Sequence, residues 1–146
     1  MQRREFVKTC AYGCLAAIGF SLALESCTPA TYLQLTPENN ELKIAFADFT
    51  VIKDGKTINR NHVFVKAKGV DFPIVVYKLK DGGHRAILMR CTHQGLELNL
   101  NGDLFTCPAH GSEFNTKGEV LTGPADQPLK LYPTKADATH VYVTLS

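Results

Sequence analysis

Two short segments, Cys91-Thr92-His93-Gln94-Gly95 and Cys107-Pro108-Ala109-His110-Gly111-Ser112, restrict what this chain can become more than any other feature. Each carries one thiol and one imidazole. Between His93 and Cys107 lie thirteen residues, with Leu98 and Leu100, then the turn signal Asn101-Gly102, then Leu104 and Phe105. Such a turn between apolar alternations folds a chain back as a hairpin and brings the two segments together. In an extended Cys-x-His, residues i and i+2 point to the same face. Both donors can therefore reach one small inorganic core.

The rest of the chain from Glu41 onward reads as short β-type runs separated by turn residues. Leu42, Ile44 and Phe46 alternate within Leu42–Phe49, and Asp54-Gly55 marks a turn. His62–Ala67, the Val/Tyr-rich Pro73–Leu79, Arg85–Arg90 after Asp81-Gly82-Gly83, Leu129–Tyr132 and His140–Leu145 are the other expected strands. No stretch in this region has a helical period. The expected fold is all-β, long enough to bury a core without disulfides.

The first residues read differently. Met1–Lys8 (MQRREFVK) is charged, and Ala11–Leu24 is an apolar run of fourteen residues, shorter than the roughly 17–25 a membrane helix needs. This is the layout of an export signal. Arg3-Arg4-Glu5-Phe6-Val7-Lys8 resembles the twin-arginine motif, with Gln2 where Ser or Thr is usual, which implies export of an already folded protein. Leu24-Glu25-Ser26-Cys27 resembles a lipobox, with Glu25 in place of the usual small or apolar residue, and implies acylation of Cys27. The expected organisation is a signal over 1–27, a polar linker over 28–40 and one domain over 41–146. Simple cleavage to a soluble protein and retention of the apolar run as an anchor are the alternatives.

Charge excludes one class of partner. Without the first twenty-six residues, thirteen Lys+Arg stand against twelve Asp+Glu, scattered with no basic run. Nucleic-acid binding has no electrostatic footprint here. His62, His84 and His140 have no second ligand-type residue at useful spacing and are expected to be surface or structural. No Ser–His–Asp set, phosphate loop or carboxylate pair suits catalysis.

Two metal centres suit two thiols and two imidazoles. A single tetrahedral zinc is one, but zinc-finger loops usually supply like donors in pairs, and here each loop mixes them. The other follows from a resemblance. C-x-H, thirteen residues, then C-x₂-H, with Gly95, Pro108, Gly111 and Ser112, resembles the Rieske family, closely over about 86–133. The resemblance implies a Rieske-like antiparallel β-sandwich with a small cluster-binding subdomain made of two hairpin loops. It implies one [2Fe–2S] cluster, with Cys91 and Cys107 on one iron and His93 and His110 on the other. Two thiolates and two neutral imidazoles leave the oxidised cluster formally neutral, where four thiolates would leave it at −2, so reduction is easier and the potential higher.

Several further residues take roles from the same resemblance. Gly123-Pro124-Ala125 is similar to the loop that covers the cluster in the respiratory branch. The disulfide of that branch has Leu96 and Ala109 at its positions, so no bridge forms, and Leu96 is expected to shield the cluster. Ser112 stands where a hydroxyl donates to a bridging sulfide, while Phe114 replaces a Tyr whose hydroxyl donates to a ligand cysteine. Losing that donor lowers the potential. The expected function is an exported electron carrier, free or as the small subunit of a redox enzyme such as a molybdenum oxidase. Its donor and acceptor would be redox proteins, a c-type cytochrome or a molybdenum-enzyme large subunit among them, and lipid at Cys27 would hold it on the periplasmic or cell-surface side of a bacterial membrane. The alternative is a quinol-oxidising subunit of a cytochrome bc-type complex.

Overall fold

The computed structural model describes residues 31–146. The signal, Cys10, Cys14 and Cys27 lie outside the described residues. The described residues form fourteen strands and one 3₁₀ turn: β1 (Tyr32–Leu35), β2 (Glu41–Ala45), the 3₁₀ turn Phe46–Phe49, β3 (Thr50–Lys53), β4 (Lys56–Asn59), β5 (His62–Ala67), β6 (Ile74–Lys78), β7 (His84–Leu88), β8 (Asn99–Asn101), β9 (Leu104–Thr106), β10 (Glu113–Asn115), β11 (Val120–Thr122), β12 (Leu131–Tyr132), β13 (Thr134–Ala136) and β14 (His140–Thr144). The all-β expectation holds.

The sheets form three layers. A five-stranded sheet, β1-β5-β6-β7-β12, lies in the middle. Its central strands read Ile74-Val75-Val76-Tyr77 and Ala86-Ile87-Leu88, buried throughout. Successive side chains point to opposite faces, so these strands supply two cores. Ile74, Val76, Ala86 and Leu88 pack with Leu42 and Ile44 of β2 and Val141 and Val143 of β14, which belong to the three-stranded sheet β13-β14-β2. Val75, Tyr77, Ile87 and Met89 pack with Leu98, Phe105, Phe114, Leu129, Cys91 and Cys107. That second core joins the middle sheet to the four-stranded sheet β11-β10-β9-β8, the expected cluster-binding subdomain.

Four expectations are corrected. The expected linker over 28–40 contains a strand, β1. Tyr32–Leu35 pairs in parallel with Phe64–Ala67, and Leu33 and Leu35 pack on the first core, a long-range partnership that no local signal announces. The run Leu42–Phe49 stops as a strand at Ala45, because the Asp48 carboxylate accepts the Ala45 N–H (2.9 Å) and the chain tightens into the 3₁₀ turn. In the cluster hairpin Asn101 pairs with Leu104, so the two-residue loop is Gly102-Asp103 rather than Asn101-Gly102. Leu129 is buried but outside β12, since its N–H goes to the Gly118 carbonyl (2.8 Å) and not to β7. By contrast, Asp54-Gly55 forms the expected turn, with φ of +52° and +71° between β3 and β4, the signature of a type I′ hairpin. Among the described residues no helix is long and apolar enough to cross a membrane.

Candidate metal centre

The first loop leaves β7. Met89 N–H bonds the Pro73 carbonyl and Leu98 N–H bonds Met89, so the chain enters and leaves the loop from the rigid middle sheet. Between them Cys91 N–H donates to the Leu96 carbonyl (2.8 Å), and Gly95 N–H donates to the Cys91 carbonyl (2.9 Å). The second loop leaves β9 and repeats this pattern. Cys107 N–H donates to Ser112 (2.8 Å), and Gly111 N–H donates to Cys107 (3.0 Å). In both, the residue four after the cysteine is a glycine at positive φ, +75° for Gly95 and +76° for Gly111. An L side chain resists that conformation, which is why both loops need glycine there. The glycines therefore close the loops.

The donors sort by depth. Cys91 and Cys107 are 1% and 4% exposed, part of the second core and not disulfide-bonded. His93 and His110 are exposed, their ring centroids 5.0 Å apart and nearly perpendicular. Burial pushes the Cys107 thiol up, but the N–H groups of Ala109 and His110 and the Cys91 side chain hydrogen-bond to its sulfur and bring it below the ordinary thiol value. Such a site favours the thiolate that a metal requires. The arrangement is pairwise, thiol beside thiol and imidazole beside imidazole. Among the described residues no three His, Cys, Asp or Glu side chains gather round one point. The pairing by depth, two buried thiols and two exposed imidazoles, fits a two-iron core that Cys91, Cys107, His93 and His110 would hold.

The expected lid, Gly123-Pro124-Ala125, opens the loop between β11 and β12. Gly123–Pro124 is a cis peptide and Pro124 is exposed. Two bonds fasten the lid, one to each loop: Ala125 N–H donates to Ser112 Oγ (3.0 Å), and Thr92 Oγ1 donates to the Gln127 carbonyl (2.7 Å). Ser112 is fully buried. Its hydroxyl oxygen is thus an acceptor here, which leaves the hydroxyl hydrogen for another acceptor. Phe114 is fully buried on β10 beside Phe105. Leu96 is 42% exposed at the mouth of the first loop. Sequence reasoning overlooked Thr92 and Gln127, and a hydroxyl inside C-x-H was the available signal.

The other histidines sit apart from this centre. His62 bonds Asn61 (2.7 Å) and lies against Phe64 and Tyr77, His84 stacks on Phe46, and His140 bonds Thr139 (2.7 Å).

The profile of one protein family, the Rieske [2Fe-2S] domain, matches residues 48–133. Among solved structures, the chain is similar to the cyanobacterial plasma membrane Rieske protein PetC3 from Synechocystis PCC 6803, with 30% identity over 57% of this chain and 86% of that one, and a TM-score of 0.50. A chain of the complex of reduced oxygenase and oxidized ferredoxin in carbazole 1,9a-dioxygenase shares 27% identity over 73% of this chain and 94% of its own, at a TM-score of 0.51. A naphthalene 1,2-dioxygenase variant bound to phenanthrene matches at 22% identity and a TM-score of 0.53, covering 73% of this chain and 26% of that one, a likeness of fold alone. No curated protein matches this sequence.

Proposed function

This chain belongs to the Rieske [2Fe–2S] family, a protein of electron transfer with one [2Fe–2S] cluster, and from that premise we propose that it is an exported, lipid-anchored electron carrier, free or as the small subunit of a redox enzyme. Cys91, Cys107, His93 and His110 hold the cluster, which when bound accepts and releases one electron. The observation that carries the reading is the separation by depth: two buried thiols beneath two exposed imidazoles at the tip of two matched loops. The chain's residues divide the remaining work. The inward cysteines exclude water from the sulfur side, while the outward histidine edges bring a partner within short electron-transfer distance. Ser112, held by Ala125 N–H, keeps its hydroxyl hydrogen for a cluster sulfur. Leu96 and the lid residues Gly123 and Pro124 border the same tip and limit access to it.

Export by the twin-arginine-like segment and acylation of Cys27 supply the address, and a redox protein supplies or takes the electron. Phe114 gives no hydroxyl to the site, which places the potential below that of the respiratory enzymes but within the roughly −150 to +300 mV of Rieske centres. Fastening of the lid to Ser112 favours, as a second reading, a quinol-oxidising subunit in which an exposed imidazole takes the quinol hydrogen bond.

One purification tests these readings together. Anaerobic isolation from detergent-solubilised membranes should give two irons and two acid-labile sulfides per chain, the EPR spectrum of a reduced Rieske centre, and a co-purifying redox protein without cytochrome b. Protein free of iron and sulfide would end the first reading. Co-purified cytochrome b with quinol oxidation would replace it with the second.

A further inference from the structure

β3 and β4 form a two-stranded arm that belongs to none of the larger sheets. Its register sets Val51 opposite Ile58 and Lys53 opposite Lys56, with Asp54-Gly55 at the tip. All residues from Ile52 to Arg60 are exposed, Ile52 by 79% and Ile58 by 43%. A lone two-stranded hairpin is marginally stable in water. Like charges directly opposite one another, as Lys53 and Lys56 are, destabilise it further. By alternation Val51, Lys53, Lys56 and Ile58 share one face, an apolar pair below a cationic pair, while Ile52 lies on the other. Against Lys53, Lys56 and Arg60 the arm carries one acid, Asp54. This arm has the chemistry of an anionic, partly apolar surface's partner.

Its place in the fold says which surface. β5 starts at His62, directly after the arm, and β1 runs parallel to β5 with Tyr32 beside Phe64. Chain entering β1 therefore arrives at the same end of the middle sheet as the arm. β7 is antiparallel to β6, which is antiparallel to β5, so β7 runs the same way as β1 and delivers Cys91 at the opposite end. Four residues, Thr28 to Thr31, separate Cys27 from Tyr32. Fully extended they reach about 17 Å.

We propose that the Thr50–Asn59 arm rests tip-first on the anionic bilayer surface to which Cys27 is anchored, with Lys53 and Lys56, nearest the tip, on lipid phosphates and Ile52 and Ile58 just behind them in the headgroup layer. The cluster loops then face away from the membrane, toward partners on the aqueous side. This rests on the lipid-anchor reading above. The bilayer relieves the lysine repulsion and covers both isoleucines, and the short span to Cys27 holds the arm there.

The test uses the full-chain holoprotein, reconstituted in vesicles of phosphatidylcholine with or without phosphatidylglycerol. Intact mass reports acylation of Cys27, and the EPR spectrum of each variant reports its fold. An environment-sensitive fluorophore is placed on the arm through Thr57→Cys and, as a control, on the lid through Asp126→Cys. The arm label should shift to the blue, brighten several-fold on phosphatidylglycerol vesicles and be quenched by spin-labelled lipid, while the lid label stays unchanged. Lys53→Glu with Lys56→Glu should abolish the arm response, as should about 1 M salt, where the screening length falls to about 3 Å. An arm label that stays in water on anionic vesicles overturns the proposal, whatever the mass shows. A label already shielded before vesicles are added, in a dimer or a protein complex, also overturns it. Insertion with an unmodified Cys27 upholds the surface and removes the anchor reading instead.

Discussion

Ser112 and Phe114 sit two residues apart, both fully buried and both next to the second cluster loop, yet one carries a hydroxyl and the other does not. A donor to a cluster sulfur stabilises the more negative reduced state. Protein-film voltammetry should therefore show Ser112→Ala lowering the midpoint potential and Phe114→Tyr raising it. A hydrogen bond contributing about 1 kcal/mol more to the reduced state corresponds to roughly 40 mV in a one-electron couple. Opposite signs would refute the assignment. Ser112→Ala should also lower stability, by about 1–3 kcal/mol in denaturant unfolding, because it strands the buried Ala125 N–H. Tyr77 presents the reverse case. Burial, and secondarily Asp103, push its phenol well above its ordinary value, and its buried hydroxyl has no hydrogen-bond partner among the described residues. Tyr77→Phe removes an unsatisfied polar atom and keeps the ring packed on Phe105. It should leave stability unchanged or raise it by about 1 kcal/mol, and a loss would reveal a partner for the hydroxyl.

Single elements set how the turns titrate and how the loops hold. Asp137, in the turn between β13 and β14, accepts from the Thr139 N–H (2.7 Å), the Tyr142 hydroxyl (2.7 Å), the His140 N–H (2.8 Å) and Thr139 Oγ1 (2.9 Å). These bonds, the Thr139 N–H foremost, hold its carboxyl far below the carboxylate range. A depressed folded value means that the contribution is complete above the unfolded value, near pH 4, and is lost as pH falls further. Asp137→Asn should lower the melting temperature by a few degrees at pH 7, and the gap to the parent should close in strong acid. A gap that does not narrow would show that the bonds do not depend on charge. The same reasoning by element explains why turns were legible. Asp54-Gly55 specifies its hairpin with two residues, whereas the 3₁₀ turn Phe46–Phe49 depends on Asp48 reaching back to Ala45, which an alternating Leu-x-Ile-x-Phe pattern conceals.

At the scale of the molecule, the fold is two cores on one sheet with the metal centre at an end of the second. The first core contains no ligand, and the loops are closed by their own backbone bonds together with the lid. Metal and folding free energies are coupled where ligands converge, so removal of the cluster should act locally. Hydrogen exchange on the apoprotein should show fast amides at Cys91–Leu96 and Cys107–Ser112, with Ile74–Lys78 and Ala86–Leu88 still protected. Exchange throughout would mean that the cluster holds the whole fold together. His93 and His110 gain most from this layout, because each loop stands on a strand buried in the second core or next to it.

The chain's own order of residues determined the two mixed Cys/His segments, the hairpin between them and the all-β class. Each of these is a short-range property, since i+2 alternation, a two-residue turn or a cysteine with a histidine two or three residues on is complete within a few neighbours. Tertiary structure alone decided that β1 joins the sheet 32 residues from its partner, that β6 and β7 bury both faces, and that Thr92 and Ser112 fasten the lid over separate loops. Those arrangements are choices among distant partners, made by the total apolar surface removed from water, and no single segment holds the information to make them.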